Sequence, residues 1–241
     1  FPGHTIASIA VGGFHVCAIL DDSTVRCWGA NGYGQLGLGD TASRGDGPSE
    51  MGLNLPAVSL GTGRTAVQLS AGENHTCAIL DDATLKCWGA NIYGALGQGD
   101  SSSRGEASGE MGDNLPAVLL ATGRTPAFVA AGWDHTCVGL DSATVQCWGY
   151  NVGGMLGLGD TLDRGDNLNE MGDALPYVAL GIGRTAVGLA AGSSETCVVL
   201  DNATVKCWGN NSAGQLGLGD VIQRGDGPNE MGDALPTLLL P

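Results

Sequence analysis

The sequence predicts an all-β protein, a β-propeller built from four tandem blades of 60 residues, each with its own disulfide. Three observations predict it: the cysteines recur every 60 residues, glycine supplies 42 of the 241 residues, and each period holds short apolar stretches that alternate like strands. Abundant glycine disfavours long helices, because each interior glycine costs about 1 kcal/mol relative to alanine. Short strands joined by tight turns accommodate it well.

The repeat runs through the chain without a change of register. Two series of cysteines lie ten residues apart and advance together by 60: Cys17, Cys77, Cys137 and Cys197, then Cys27, Cys87, Cys147 and Cys207. Repeats with a fixed period indicate one structural unit per period. We therefore predict a single repeat domain over 1–241, with blades at about 1–60, 61–120, 121–180 and 181–241.

Each unit predicts four strands, which are clearest in the second unit. A first strand at 65–70 leads into a second at His75–Leu80, and after a polar turn a third strand at 84–88 returns antiparallel. A glycine-rich segment of about 25 residues then leads to a fourth strand at 115–120. Four short strands in a unit that repeats around an axis are the pattern of a propeller.

The glycine-rich segment repeats its details as well as its length, which predicts that it is ordered. One arginine per unit is followed two residues later by an acidic residue, at Arg44, Arg104, Arg164 and Arg224. Glu-Met-Gly recurs at 50–52, 110–112, 170–172 and 230–232. We expect the methionines to pack inward and the arginines to pair with carboxylates.

Two short stretches carry a resemblance to a known family. Gly-Gly-Phe-His at 12–15 and Trp-Gly-Ala-Asn-Gly-Tyr-Gly-Gln-Leu-Gly at 28–37 resemble the regulator of chromosome condensation repeat, in its cysteine-containing, bacterial-type form. The resemblance covers the whole chain and implies one propeller blade per repeat. Because a familiar member has seven blades, a four-bladed ring, part of a larger propeller and a ring completed by another subunit all remain open.

The spacing of ten residues within each cysteine pair predicts a disulfide across a hairpin. With the turn centred on Asp22, Cys17 faces Cys27. Directly opposed residues have Cβ atoms about 4.5–5.5 Å apart, near the separation that a disulfide needs. Free buried thiols and metal ligation are the alternatives, although zinc sites usually have shorter cysteine spacings. Four disulfides predict a secreted, extracellular or cell-surface protein, because the cytosol keeps thiols reduced.

The charge balance argues against two classes of partner. Ten Lys and Arg stand against 25 Asp and Glu, which gives a net charge of −15. A nucleic-acid-binding surface needs clustered basic residues, so we expect no nucleic-acid partner. The chain also has no apolar run long enough to span a bilayer, so we expect no membrane insertion.

No catalytic motif stands out, and we predict neither enzymatic activity nor a resident cofactor. An active site usually combines unlike groups once, whereas the prominent carboxylates here occur four times. One set of equivalent residues would ring the axis of a closed propeller as metal ligands, or else form structural hydrogen bonds: His15, His75, His135 and Glu195. Calcium is an alternative to salt bridges for a second set, together with the acidic residue after each arginine: Asp40, Asp100, Asp160 and Asp220.

Differences between the copies locate a predicted binding surface. Leu162, Val221 and Ile222 are apolar where most other copies are small or polar, and Trp133 has no counterpart of its size. Apolar groups on loops often mark contact surfaces. We therefore predict a secreted, non-enzymatic scaffold whose third and fourth units bind a protein or a surface polymer. The alternatives are a self-associating structural subunit of an extracellular assembly or fibre and, from the resemblance, a nucleotide exchange factor for a small GTPase.

Overall fold

A computed structural model describes residues 3–238, and within this range it contains four antiparallel sheets of three strands each. The strands are β1 (Ile6–Val11), β2 (His15–Leu20), β3 (Val25–Gly29), β4 (Ala66–Ala71), β5 (His75–Leu80), β6 (Leu85–Gly89), β7 (Pro126–Ala131), β8 (His135–Leu140), β9 (Val145–Gly149), β10 (Ala186–Ala191), β11 (Glu195–Leu200) and β12 (Val205–Gly209). Each sheet takes three consecutive strands, so blades 1 to 4 follow the repeats in order. The predicted all-β propeller architecture is confirmed.

The middle strand of every blade pairs with both of its neighbours, and the cysteines are directly opposed in that register. Cys17 pairs with Cys27 between β2 and β3, and the same register recurs in the other blades. Disulfides join Cys17–Cys27, Cys77–Cys87, Cys137–Cys147 and Cys197–Cys207, each with Cα atoms 4.1 Å apart. The predicted pairing is confirmed.

The prediction of a fourth strand in each unit is wrong, because the segment at that position forms no regular ladder of hydrogen bonds within residues 3–238. Residues 115–120 lie beside β6, but the one backbone hydrogen bond between them runs from the Val118 N–H to the Leu85 carbonyl, at 2.7 Å. A short 3-10 helix, Gly112–Asn114, directly precedes this segment, and the Leu115 N–H donates its hydrogen bond to the Gly112 carbonyl of that helix. Pro116 then supplies no N–H, so the chain reaches the sheet edge too late to form a ladder.

The blades stand side by side around a common axis, which the first strand of each blade faces. These inner strands line a concave surface of mostly small residues, such as Ala71, Ala131 and Ala191. We call the end of the blades that carries the turns at 12–14, 72–74, 132–134 and 192–194 the upper end, and the opposite end the lower end. The long glycine-rich segments also begin at the upper end, because they follow the third strands.

The hydrophobic core lies between successive blades. Among residues 3–238, three buried clusters join blades 1 and 2, blades 2 and 3, and blades 3 and 4, and each contains one fully buried indole, that of Trp88, Trp148 or Trp208. We call the face of a blade that meets the preceding blade its leading face, and the opposite one its trailing face. Each of these tryptophans lies on a leading face and packs on the trailing face before it.

Two side chains of blade 1 are more exposed than their counterparts for one physical reason. Trp28 is only partly buried, whereas Trp88, Trp148 and Trp208 are fully buried. Met51 was expected to pack inward, and it is 41% exposed, whereas Met171 is buried and Met111 and Met231 pack against the clusters. Both side chains lie on the leading face of blade 1, which no other blade covers among residues 3–238.

The long segments are ordered, as expected, and a fixed set of hydrogen bonds holds them. In blade 1 the Arg44 guanidinium contacts the Asp40 carboxylate at 2.6 Å, and the Glu50 carboxylate accepts the N–H groups of Gly45 and Gly47. The Arg–Asp pair recurs in every blade. Between residues 3 and 238, no helix has the length and apolar character needed to cross a membrane.

Candidate binding surface

The upper end presents side chains that differ between copies on a backbone that does not. In blade 3 the Asn151 side chain donates to the carbonyls of Asp160 and Leu162, at 2.9 and 3.1 Å, and the Leu162 N–H donates to the Asp160 carboxylate. Asn211 and Asp220 hold Ile222 in the same way in blade 4. These bonds fix the loop, so its outward side chains are presented with little conformational freedom.

The predicted contact residues all lie on this upper end and are exposed. Leu162, Val221 and Ile222 are 64%, 66% and 61% exposed. Trp133 occupies the turn between β7 and β8, is 47% exposed, and lines a shallow depression of about 160 Å³ at the upper end of the axis. The neighbouring blade holds this turn, because the Glu73 N–H donates to the Trp133 carbonyl at 3.1 Å. Their part in binding stays a prediction.

A pair of tyrosines, Tyr93 and Tyr150, extends this surface, and neither was among the contact residues predicted from the sequence. The rings of Tyr93 and Tyr150 lie 4.5 Å apart across the junction of blades 2 and 3. The Tyr150 N–H donates to the carbonyl of Asp134, the residue after Trp133. A signal was present, because Tyr150 stands where the other copies carry Ala30, Ala90 or Asn210.

Carboxylates surround these aromatic rings and are partly removed from water. Burial raises the pKa of Asp134 and of Asp163. Burial and the nearby charge of Asp134 raise the pKa of Glu73. Burial, Tyr93, Asp163 and Asp134 together raise the pKa of Tyr150. This part of the upper end is therefore aromatic and negatively charged.

The cations of the chain are already engaged with its own groups. At the upper end, ion pairs of 2.6–2.8 Å tie Arg44, Arg104, Arg164 and Arg224 to Asp40, Asp100, Asp160 and Asp220. Carboxylates near the lower end pair with Arg64, Arg124 and Arg184. Carbonyl oxygens accept from Arg26, Lys86 and Lys206. The salt bridges expected at Asp40 and its counterparts are confirmed, and calcium stays a prediction.

The structure does not bring the four candidate metal ligands together. His15, His75 and His135 are buried at three different junctions, and each Nε2 contacts the threonine hydroxyl of the next blade. Burial lowers their pKa values to about 4, about 3 and about 4, which keeps the rings neutral. In the described part of the chain, the one cluster with ligand atoms close enough for a metal is the exposed group of His4, Asp21 and Asp22.

The partners of these histidines are a second group of residues that sequence reasoning missed. Three completely buried threonines are these partners: Thr76, Thr136 and Thr196. Each hydroxyl accepts a hydrogen bond from a histidine Nε2–H of the preceding blade and donates one to a carbonyl of that blade. The equivalent residue in blade 1 is Val16. The exchange of threonine for valine in the copy that has no preceding histidine was the available signal.

Comparisons with known proteins agree with this architecture. Two models described as the regulator of chromosome condensation repeat match residues 6–35, 66–95 and 186–215, and residues 22–79. The ultraviolet-B receptor UVR8 of Arabidopsis thaliana is 30% identical over 92% of this chain and 45% of its own length. The human probable E3 ubiquitin-protein ligase HERC6 is 28% identical over 90% of this chain and 19% of its own length.

Solved structures give the same fold over the same extent. Yeast Prp20, in a complex with Kap60, aligns with a TM-score of 0.72 at 23% identity, over 98% of this chain and 49% of its own. Human WBSCR16 aligns with a TM-score of 0.67 at 18% identity, over 99% and 52%. The chain therefore spans about half the length, or less, of the relatives that it matches.

Proposed function

Because the chain belongs to the regulator of chromosome condensation repeat family, we propose that it is a non-enzymatic scaffold that binds a partner protein through the upper end of its blades. The observation that carries the proposal is the contrast at that end between a fixed backbone and variable, exposed side chains. Loops on a rigid scaffold are the usual place for recognition. The yeast relative Prp20 is described with binding to Gsp1p and histones, which is a property of that protein.

The partner that we propose carries cationic side chains. The ten Lys and Arg of the chain are all bonded within it, while Glu73 and Asp134 have raised pKa values with no cation among the causes. A guanidinium or ammonium group from a partner would offset this negative charge. It would also find the exposed faces of Trp133 and the tyrosine pair, and cation–π contacts contribute about 0.5–2 kcal/mol each.

The disulfides support a location outside the reducing cytosol. All eight cysteines lie within the described residues and none is free. Cytosolic thiols are kept reduced, so four structural disulfides favour secretion or the cell surface. Secretion is part of our proposal, and it makes extracellular proteins the first place to look for the partner.

The test begins with the intact, oxidised chain immobilised and exposed to the secreted proteins of its source. A retained protein is then purified, and its affinity is measured for the native chain and for two variants by titration calorimetry. The upper-end variant combines Leu162→Ser, Val221→Ser and Ile222→Ser. The control variant changes three exposed residues away from the upper end, with Val67→Ser, Ile182→Ser and Val187→Ser.

We expect the upper-end variant to bind about tenfold or more weakly and the control variant to bind like the native chain, because few contacts carry most of the binding energy. The native affinity should also fall as salt is raised, since a cationic partner is attracted by charge. Equal weakening of both variants would contradict the upper-end site. Retention of an uncharged surface polymer in place of a protein would contradict the proposed class of partner.

A further inference from the structure

The same pattern of buried hydrogen bonds recurs at each of the three junctions between blades. At the first junction the Trp88 indole and the Thr76 hydroxyl both donate to the Gln35 carbonyl, at 3.0 and 2.9 Å. The hydroxyl hydrogen is therefore used, and the Thr76 oxygen accepts from the His15 Nε2–H at 2.7 Å. The carbonyls of Ala95 and Met155 serve the second and third junctions in the same way.

Among residues 3–238, no other blade covers the leading face of blade 1 or the trailing face of blade 4. These two end faces carry most of the junction but lack its histidine–threonine pair. The leading face of blade 1 has the indole of Trp28 and the exposed Met51, which correspond to groups packed in the inner junctions. The trailing face of blade 4 has Gln215 in the position of Gln35, and it is exposed. The pair itself is replaced, because Val16 stands for threonine and Glu195 stands for histidine.

We propose that Val16 and Glu195 prevent these two faces from joining, so that the chain does not assemble head to tail with a second copy. The trailing face of blade 4 then accepts only a blade that places a hydrogen-bond donor opposite Glu195. In a head-to-tail contact built like the inner junctions, the Glu195 carboxylate would lie against the methyl groups of Val16. A valine side chain donates nothing, and a buried carboxylate without a donor strongly opposes association.

The surroundings of Glu195 on its own blade do not remove this penalty. Within residues 3–238 the hydrogen bond to its carboxylate comes from the Ser194 N–H, at 3.2 Å, and no ion pair includes it. A donor on the facing blade is thus required. A lysine, an arginine or a free hydroxyl supplies one at the position of Thr76, whereas Val16 does not. Unlike the proposed function, this inference concerns the end faces and is independent of the upper end.

The test restores the junction in two chemically different ways and measures the mass of the intact, oxidised chain by sedimentation velocity. The double variant V16T/E195H rebuilds the histidine–threonine pair between copies. The single variant V16K places an ammonium group opposite Glu195. The matched control I9K adds the same charge to an exposed position of the same leading face without facing Glu195. Thermal unfolding of each variant verifies that it is folded.

We expect the native chain and I9K to sediment as single chains at high micromolar concentration. Both restored variants should self-associate with an affinity at least about 100-fold higher, since an uncompensated buried charge typically accounts for that much. Head-to-tail assembly of the native chain, lost on Trp28→Ala, would overturn the proposal. So would a folded V16T/E195H or V16K that remains a single chain, or an I9K variant that associates as V16K does.

Discussion

The three buried histidines at the blade junctions make the stability of the fold sensitive to mild acid. Burial lowers the pKa of His15 to about 4, of His75 to about 3 and of His135 to about 4, from an ordinary value of 6.5. The folded chain therefore binds these protons less readily than the unfolded chain does. The stability that the neutral rings contribute is complete above pH 6.5 and is lost as the pH falls towards 4.

The magnitude follows from the shifts. With a pKa of 6.5 in the unfolded chain and about 4 in the folded one, each histidine lowers the free energy of unfolding by ~2 kcal/mol between pH 7.5 and pH 5. Three such groups give ~6 kcal/mol, a large part of the stability of an ordinary domain. Carboxylates with raised pKa values, such as Asp134, offset a little of this loss because they take up protons on folding.

Urea unfolding at pH 7.5, 6 and 5, followed by the fluorescence of the buried tryptophans with the disulfides intact, measures this loss. The variant His75→Gln keeps a side-chain N–H for the Thr136 hydroxyl and removes the titrating ring. It should lose about one third of the pH dependence. A free energy of unfolding that changes by less than ~1 kcal/mol between pH 7.5 and pH 5 would refute the reasoning, as would an unchanged slope in His75→Gln.

Three further results are expected. Thr76→Val should lower the free energy of unfolding by ~1–3 kcal/mol, because it leaves the buried His15 N–H without its acceptor and removes one of the two donors to the Gln35 carbonyl. Val16→Thr, measured beside it, should change little. Non-reducing peptide mapping of the protein from its natural source should find the four hairpin disulfides, and four or more alkylatable thiols would count against both the pairing and secretion. The chain should not be retained on DNA at physiological salt, and micromolar, salt-sensitive binding would reverse the electrostatic argument.

The repeat, the strands near the cysteines and the disulfides were predictable because they are local to one unit. A ten-residue spacing across a polar turn fixes which cysteines oppose each other, whatever lies outside the hairpin. The burial of Trp28 was not predictable in this way, because its sequence neighbourhood is nearly that of Trp88. The difference is that a preceding blade covers Trp88 and none covers Trp28 among residues 3–238. The local sequence around a tryptophan does not record whether such a blade is present.

The candidate sites show the same limit. The sequence left metal ligation around an axis and structural hydrogen bonding as alternatives for the histidines. Each histidine forms a hydrogen bond inside its own junction, which only the packing of the blades reveals. Tyr150 and Val16 were visible as exceptions among the four copies. Their roles depend on the neighbouring blade. Tyr150 lies against Tyr93 across a junction, and Val16 has no histidine opposite it among residues 3–238. The sequence differences alone therefore did not reveal either role.

A core that lies between blades makes cooperativity a nearest-neighbour property. Within residues 3–238, blades 2 and 3 are each stabilised from two sides, whereas blades 1 and 4 are each stabilised from one. In such a linear array the free energy is a sum of unit and interface contributions, and unfolding begins at the ends. Amide hydrogen exchange should therefore be fastest in β1–β3 and β10–β12 and slowest in the strands between them, so that two outer blades open more readily than a kinetically protected centre.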